Sequence, residues 1–370
     1  MSVTVRNEEI TRVLNSWYVE IRSRHIAKAH RIKEQLDSMV EQLKCEEQES
    51  LQDQNLLLYY SLLDFRYHYL IDNMSVSKDS FNKIEMFEKP PEAFLAYYYH
   101  FFKAMHMSVI GSYTDAREHF EKAETLLHHI PDEMEKAEFY YKYGSFHFEV
   151  QQTLLAIKQV TRAKEIYKQH RGYETNVAFC ENLLGLACVY VKEWGLAEEH
   201  FTAAMDQFRK MDEDYYMLMV RHNLGWLYAS QNLSTLAIRY LSEVVKQSPN
   251  HYKAMYVKAK EHFKLEEYEL AEGLIERGLQ ISSELGQEEY QHRNRILKEM
   301  NNQASANQLE QVVLAGNHYF EREELYDNAQ ENYEYLAIRF YKEDEYEKAS
   351  KYFYLSTCAR KKAWEREGLK

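Results

Sequence analysis

Proline and glycine are scarce, with 4 and 11 among 370 residues, or about 1% and 3% against usual shares nearer 5% and 7%. No glycine precedes Gly111, and no proline falls between Pro131 and Pro249. Sandwiches, barrels and doubly wound sheets need such residues in frequent tight turns, so the expected class is all-α. The four cysteines, Cys45, Cys180, Cys188 and Cys358, form no C-x-x-C pair and no zinc-type spacing with histidine, which argues against a metal or disulfide framework and predicts reduced, mostly buried thiols. Cations are outnumbered, 46 Lys and Arg against 59 Asp and Glu, for a formal charge of −13. That balance gives no support to direct nucleic-acid binding.

Other signals are missing as well. No stretch approaches 18 uninterrupted apolar residues, and the N-terminus MSVTVRNEEITRV lacks a basic region followed by an apolar one, so no membrane partner is expected and the default address is the cytoplasm. The phosphate-cradling, dinucleotide, nucleophile-elbow and H-E-x-x-H motifs are all absent. The expectation is a chain with no metal site and no cofactor of its own.

What is present is periodic. Ala116, Ala156, Ala197, Ala237, Ala271 and Ala349 lie in similar helical frames, 40, 41, 40, 34 and 78 residues apart. A period of 34, or about 40 with longer helices or loops, is that of a helix–turn–helix repeat of the tetratricopeptide kind. Twelve residues before Ala197 and Ala237 stand Gly185 and Gly225, in ENLLGLACVY and RHNLGWLYAS, where a small residue lets paired helices approach. Gly144, Ala104, Ala259 and Ala337 take that position in other copies. The gap of 78 is close to two periods, so one poorly matching pair is expected between about 280 and 325. The total is six clear repeats and one weak one.

Residues 1 to about 75 lack this pattern. Candidate helices near 8–23 and 28–50, and a third beginning near Asp53, make a three-helix bundle. The third aligns Leu56, Tyr59/Tyr60, Leu63, Tyr67 and Leu70 on one stripe. The expected organisation is thus a bundle over 1–75, a linker over 76–94 ending at Pro90 and Pro91, and a repeat superhelix over 95–370. The 31 tyrosines, in runs such as YYYHFF at 97–102, suit either core packing or a ligand groove.

The segment DQNLLLYYSLLDFRYH at 53–68 closely resembles one in the Rap family of response-regulator aspartate phosphatases of spore-forming bacteria. NSWYVEIR at 15–22, EKAEFYYK at 135–142, QQT at 151–153 and the repeat array agree with that family. The resemblance implies a three-helix bundle joined to a tetratricopeptide domain. It also implies one of two activities: hydrolysis of the aspartyl phosphate of a phosphorelay response regulator, or sequestration of a DNA-binding regulator without chemistry. In the phosphatase case a Gln at the start of the third bundle helix, here Gln54, orients the attacking water. The Mg²⁺ is supplied by the response regulator.

The same resemblance implies docking by Asp53, Leu57, Phe65, Asp132 and Glu135. Leu57 and Phe65 lie off the apolar stripe, which predicts exposure, while Asp132 and Glu135 also read as a capping box after Pro131. The family usually carries Met-Glu-Glu-Asp before the Gln, whereas this chain has Ser50, Leu51, Gln52 and Asp53. Inhibition by a short signalling peptide in the repeat groove is implied too. Asn182, His222, Asn223 and Trp226 are the expected contacts, since an Asn amide can both donate to and accept from a peptide backbone. Ala187 and Tyr190 stand where other members often have Asn and Asp.

Overall fold

The computed structural model describes residues 3–44, 51–87 and 93–367. Every regular element in them is helical. The N-terminal segment forms α1 (Val3–Arg22), α2 (Ile26–Lys44) and α3 (Leu51–Ile71), followed by two 3₁₀ turns and the single-turn α4 (Asn82–Glu85). Seven helical pairs follow: α5 (Ala93–Val109) with α6 (Tyr113–Leu126), α7 (Glu133–Glu149) with α8 (Thr153–Lys168), α9 (Glu174–Tyr190) with α10 (Trp194–Lys210), α11 (Asp214–Ser230) with α12 (Ser234–Gln247), α13 (Tyr252–Lys264) with α14 (Tyr268–Glu284), α15 (Glu288–Asn301) with α16 (Ala306–Arg322), and α17 (Tyr326–Lys342) with α18 (Tyr346–Glu367). The poorly matching stretch near 280–325 is the sixth pair. No helix among the described residues is long and apolar enough to cross a membrane.

The repeat grammar has a steric cause. Each marker alanine lies on the second helix of its pair, and all six are 2% exposed or less. Four residues beyond the marker, Phe120, Val160, Phe201, Leu241 and Ile275 are at most 1% exposed, and Val160, Phe201 and Leu241 fill the space opposite the small residue of the first helix. A Cβ on Gly144, Gly185 or Gly225 would come within 2.6 Å of Val160, 2.7 Å of Phe201 or 2.6 Å of Leu241. The first helix is therefore held close to the second by the absence of one carbon.

Scarcity of glycine does not straighten the turns. Gln151, Lys192, Asn232, Glu266, Gln303 and Asp344 each take a left-handed φ between 53° and 64° inside their pair. The next amide reaches back five residues, as Glu193 N–H does to Cys188 O at 2.9 Å and Leu233 N–H to Tyr228 O at 2.9 Å. This closes the helix C-terminus in the Schellman manner, which glycine usually serves.

Two compact units emerge: 1–110 with 115–142 and 162–177, and 111–114 with 143–161 and 178–370. The division falls within α7 and α8 and in the first turn of α9, not at the expected linker. Within the first unit the segment read as a linker packs, since Val76, Phe81 and Ile84 are buried. In the core of that unit Phe81 meets Phe65 edge-on at 5.1 Å and stacks on His106 at 5.5 Å.

Candidate functional site

In the first unit, α3 carries the candidate catalytic residue. Gln54 is exposed in its first turn. Directly after it Leu56, Leu57 and Leu58 are 5%, 8% and 2% exposed, so the helix is anchored just beyond the amide. The helix begins at Leu51, which places Asp53 inside the first turn; its side chain lies outside the described residues. The expected stripe is buried, but so are Leu57, Leu62, Phe65 and Arg66. A helix buried nearly all round is a central one, and α3 is central because the bundle packs on one side and the 76–85 segment with α5 on the other.

That corrects the docking set. Phe65 is 5% exposed and touches Phe81 and His106, so it is core, as is Leu57. Glu135 is fully buried: it accepts from Tyr97 Oη at 3.0 Å and from Arg22 Nη1 at 3.2 Å. It does not act as a capping-box partner. Asp132 keeps about half its side chain exposed, caps α7 by accepting from Met134 N–H at 2.8 Å, and pairs with Arg22 at 2.8 Å. Of the docking residues with described side chains, Asp132 alone offers solvent-facing atoms.

Sequence reasoning missed the charge network around Glu135. Glu138, one turn on, is fully buried against Arg66 Nη2 at 2.6 Å and accepts from Tyr167 Oη at 3.0 Å. Burial alone would push the Glu138 carboxyl up, yet Arg66, Lys142 and Arg24 outweigh it and hold it down at about 2. Glu135 goes the other way, raised because burial exceeds the help from Arg22. Lys142 is pushed well below an ordinary lysine by burial and by Arg66. Glu135, Glu138 and Lys142 stand at i, i+3 and i+7 on one face of α7. That spacing within an aromatic run was the available signal.

The second unit holds the expected peptide contacts. Asn182 on α9 and Asn223 on α11 are 4% and 5% exposed, and Asn223 Nδ2 donates to Asn182 Oδ1 at 2.8 Å. Neighbouring first helices are thereby joined by an amide ladder that uses one donor and one acceptor, leaving each amide further bonding capacity. Trp226 is half-buried with its ring edge-on to Phe148 at 6.1 Å. His222, also half-buried, faces His251 at 4.7 Å, and burial, then His251 and Lys253, hold it well below its ordinary value. His251 is itself pushed down to about 4 by burial and Lys253, and its Nδ1 caps α13 by accepting from Ala254 N–H at 3.1 Å. His251, Lys253 and Phe148 were not foreseen. Ala187 is core, and Tyr190 donates to Asp327 on α17.

The helical pairs behind an N-terminal bundle, with an exposed glutamine on a buried helix and an amide-lined array, define a tetratricopeptide-type repeat protein. Residues 4–72 match the family model for the N-terminal part of response regulator aspartate phosphatase H. The chain is 24% identical to regulatory protein RapF of Bacillus subtilis (strain 168), over 95% of this chain and 94% of that one. It is 25% identical to response regulator aspartate phosphatase A of the same organism, over 66% and 65%. A crystal structure of a Rap protein complexed with competence and sporulation factor superposes with a TM-score of 0.78 at 23% identity, covering 97% of this chain and 99% of the other. The chain is thus similar over nearly its whole length to proteins named Rap, and its N-terminal part matches their family model.

Proposed function

We propose that this protein binds a phosphorylated response regulator and hydrolyses its aspartyl phosphate, with Gln54 orienting the water and a short signalling peptide in the repeat groove controlling the reaction. The observation that carries this is the position of Gln54, exposed in the first turn of a helix whose next residues are core. An aspartyl phosphate is an activated acyl phosphate. The water oxygen attaches to phosphorus, the P–O bond to the carboxylate breaks, and the water's proton ends on a departing oxygen. The regulator's own Mg²⁺ and lysine stabilise the charge, so a neutral amide need only align the water. Similarity to a relative named as an aspartate phosphatase supports the reading.

The test is the lifetime of labelled phosphate on the host's response regulators. Gln54→Ala should retain regulator binding and lose about 100-fold of the acceleration, the scale of a misplaced reactant. A variant as fast as the parent overturns the role. Capture of a DNA-binding regulator without hydrolysis is the second reading, favoured by the burial of Leu57, Phe65 and Glu135. It predicts altered DNA mobility shifts with unchanged phosphate lifetime.

A further inference from the structure

In the first unit, positive groups outnumber negative ones around Glu138. Arg66 on α3, Arg24 in the turn after α1 and Lys142 on α7 are 0%, 6% and 8% exposed, and all three act on that one fully buried carboxylate. Arg22 is matched elsewhere, by Asp132 at 2.8 Å and Glu135 at 3.2 Å. Three buried cations thus share one anion. With Lys142 deprotonated the excess is still one charge, and a buried charge without a counter-charge is among the costliest arrangements a core can hold.

The hydrogen bonds show the same shortfall. Arg66 spends Nη2 on Glu138 at 2.6 Å, while its Nε and Nη1 are buried without a hydrogen-bond partner. A guanidinium has donors and no acceptor, as does an ammonium, so whatever completes them must accept. Among the described residues Lys142 Nζ meets ring faces, 4.6 Å from the Tyr69 centroid and 5.3 Å from that of Tyr141, and no carboxylate within ion-pair distance. The same two rings tie the cations together: Arg66 Cζ lies 5.4 Å from the Tyr69 centroid and Arg24 Cζ 5.7 Å from that of Tyr141. Ring faces soften the burial of a cation but carry no charge. Burial, then Arg66 and Arg24, push the Lys142 ammonium well below its ordinary value, as like charges do when one carboxylate is too little to offset them.

These facts define the chemistry of a ligand. It accepts from several donors, carries negative charge and is small, since groups this deep admit neither a peptide side chain nor a phosphate ester. Water would satisfy the donors without offsetting the charge. We propose that a halide ion, chloride under physiological conditions, binds in the first unit between Arg66, Lys142 and Arg24. The site is independent of Gln54 and of the peptide groove.

An ion bound only by the folded chain raises the folding constant in proportion to its concentration above the dissociation constant. At constant ionic strength, replacing potassium glutamate, whose anion is too large to enter, by potassium chloride should therefore raise the urea midpoint of the full chain, with about a tenfold gain in the folding constant per tenfold chloride. Lys142→Met keeps an apolar stem and should lose that dependence, while Lys168→Met, at an exposed lysine of α8, should keep it. Crystals grown in bromide should carry an anomalous-scattering peak in contact with Arg66 and Lys142. Equal midpoints in the two salts overturn the proposal, as does a chloride dependence that Lys142→Met leaves intact. A bromide peak with no chloride dependence in solution marks an adventitious ion only, and overturns it too. If Lys142→Met does not fold, the two-salt comparison on the parent and the bromide peak decide the matter.

Discussion

At the scale of single residues, several side chains are held in protonation states that tie stability to pH. His251 and His222 are both depressed by burial and cationic or imidazole neighbours, His251 to about 4 from 6.5. An unfolded chain binds a proton on each below about 6.5, whereas the folded chain refuses it. Stability is therefore fully present above 6.5 and falls as pH drops from there toward 4, with a slope of up to about 1.4 kcal/mol per pH unit for each such group. The urea midpoint should be lower at pH 5.5 than at pH 7.5. His251→Asn keeps a capping acceptor and should flatten that slope; an unchanged slope would show that His251 does not contribute. Glu138 acts lower down, its contribution present above 4.5 and lost as pH falls toward about 2. The exposed place of Gln54 in the first turn of α3 was legible at this scale because the local pattern of the helix marks it. The burial of Leu57 and Phe65 was not, since a one-stripe reading of a helix cannot register a second packed face.

At the scale of helices and pairs, two glycines should respond with opposite signs. A Cβ on Gly225 meets Leu241 at 2.6 Å, so Gly225→Ala should cost about 1–3 kcal/mol by overpacking. Gly273 on α14 has nothing within 4 Å of the same position, and Gly273→Ala should gain up to about 1 kcal/mol from helix propensity. Thermal unfolding of the two variants checks both. The first unit's buried pair allows a further prediction. Arg66→Met alone strands Glu138 and should destabilise by about 3–5 kcal/mol, whereas Arg66→Met with Glu138→Leu should return most of it. Equal losses in the single and double variants, read by urea unfolding, would show that the pair is not what matters. Helical pairs were readable from sequence because their constraint is short-range, a small residue against a large one about sixteen positions on. The partnership of Arg22 with Glu135 joins residues 113 apart, and no local period announces it.

At the scale of the whole molecule, the division expected at 76–94 treated the bundle as self-sufficient, and the packing does not. Arg22, Arg24 and Arg66 belong to the first 75 residues, yet the carboxylates Glu135 and Glu138 that answer them stand on α7. All three arginines are at most 6% exposed in the folded chain. A gene fragment cut before α5 would leave them without those partners and open to water, creating a cationic patch that the intact protein does not display. Such a fragment should be retained on heparin at salt concentrations that release the full-length chain, and nucleic-acid capture by it would report the cut rather than the protein.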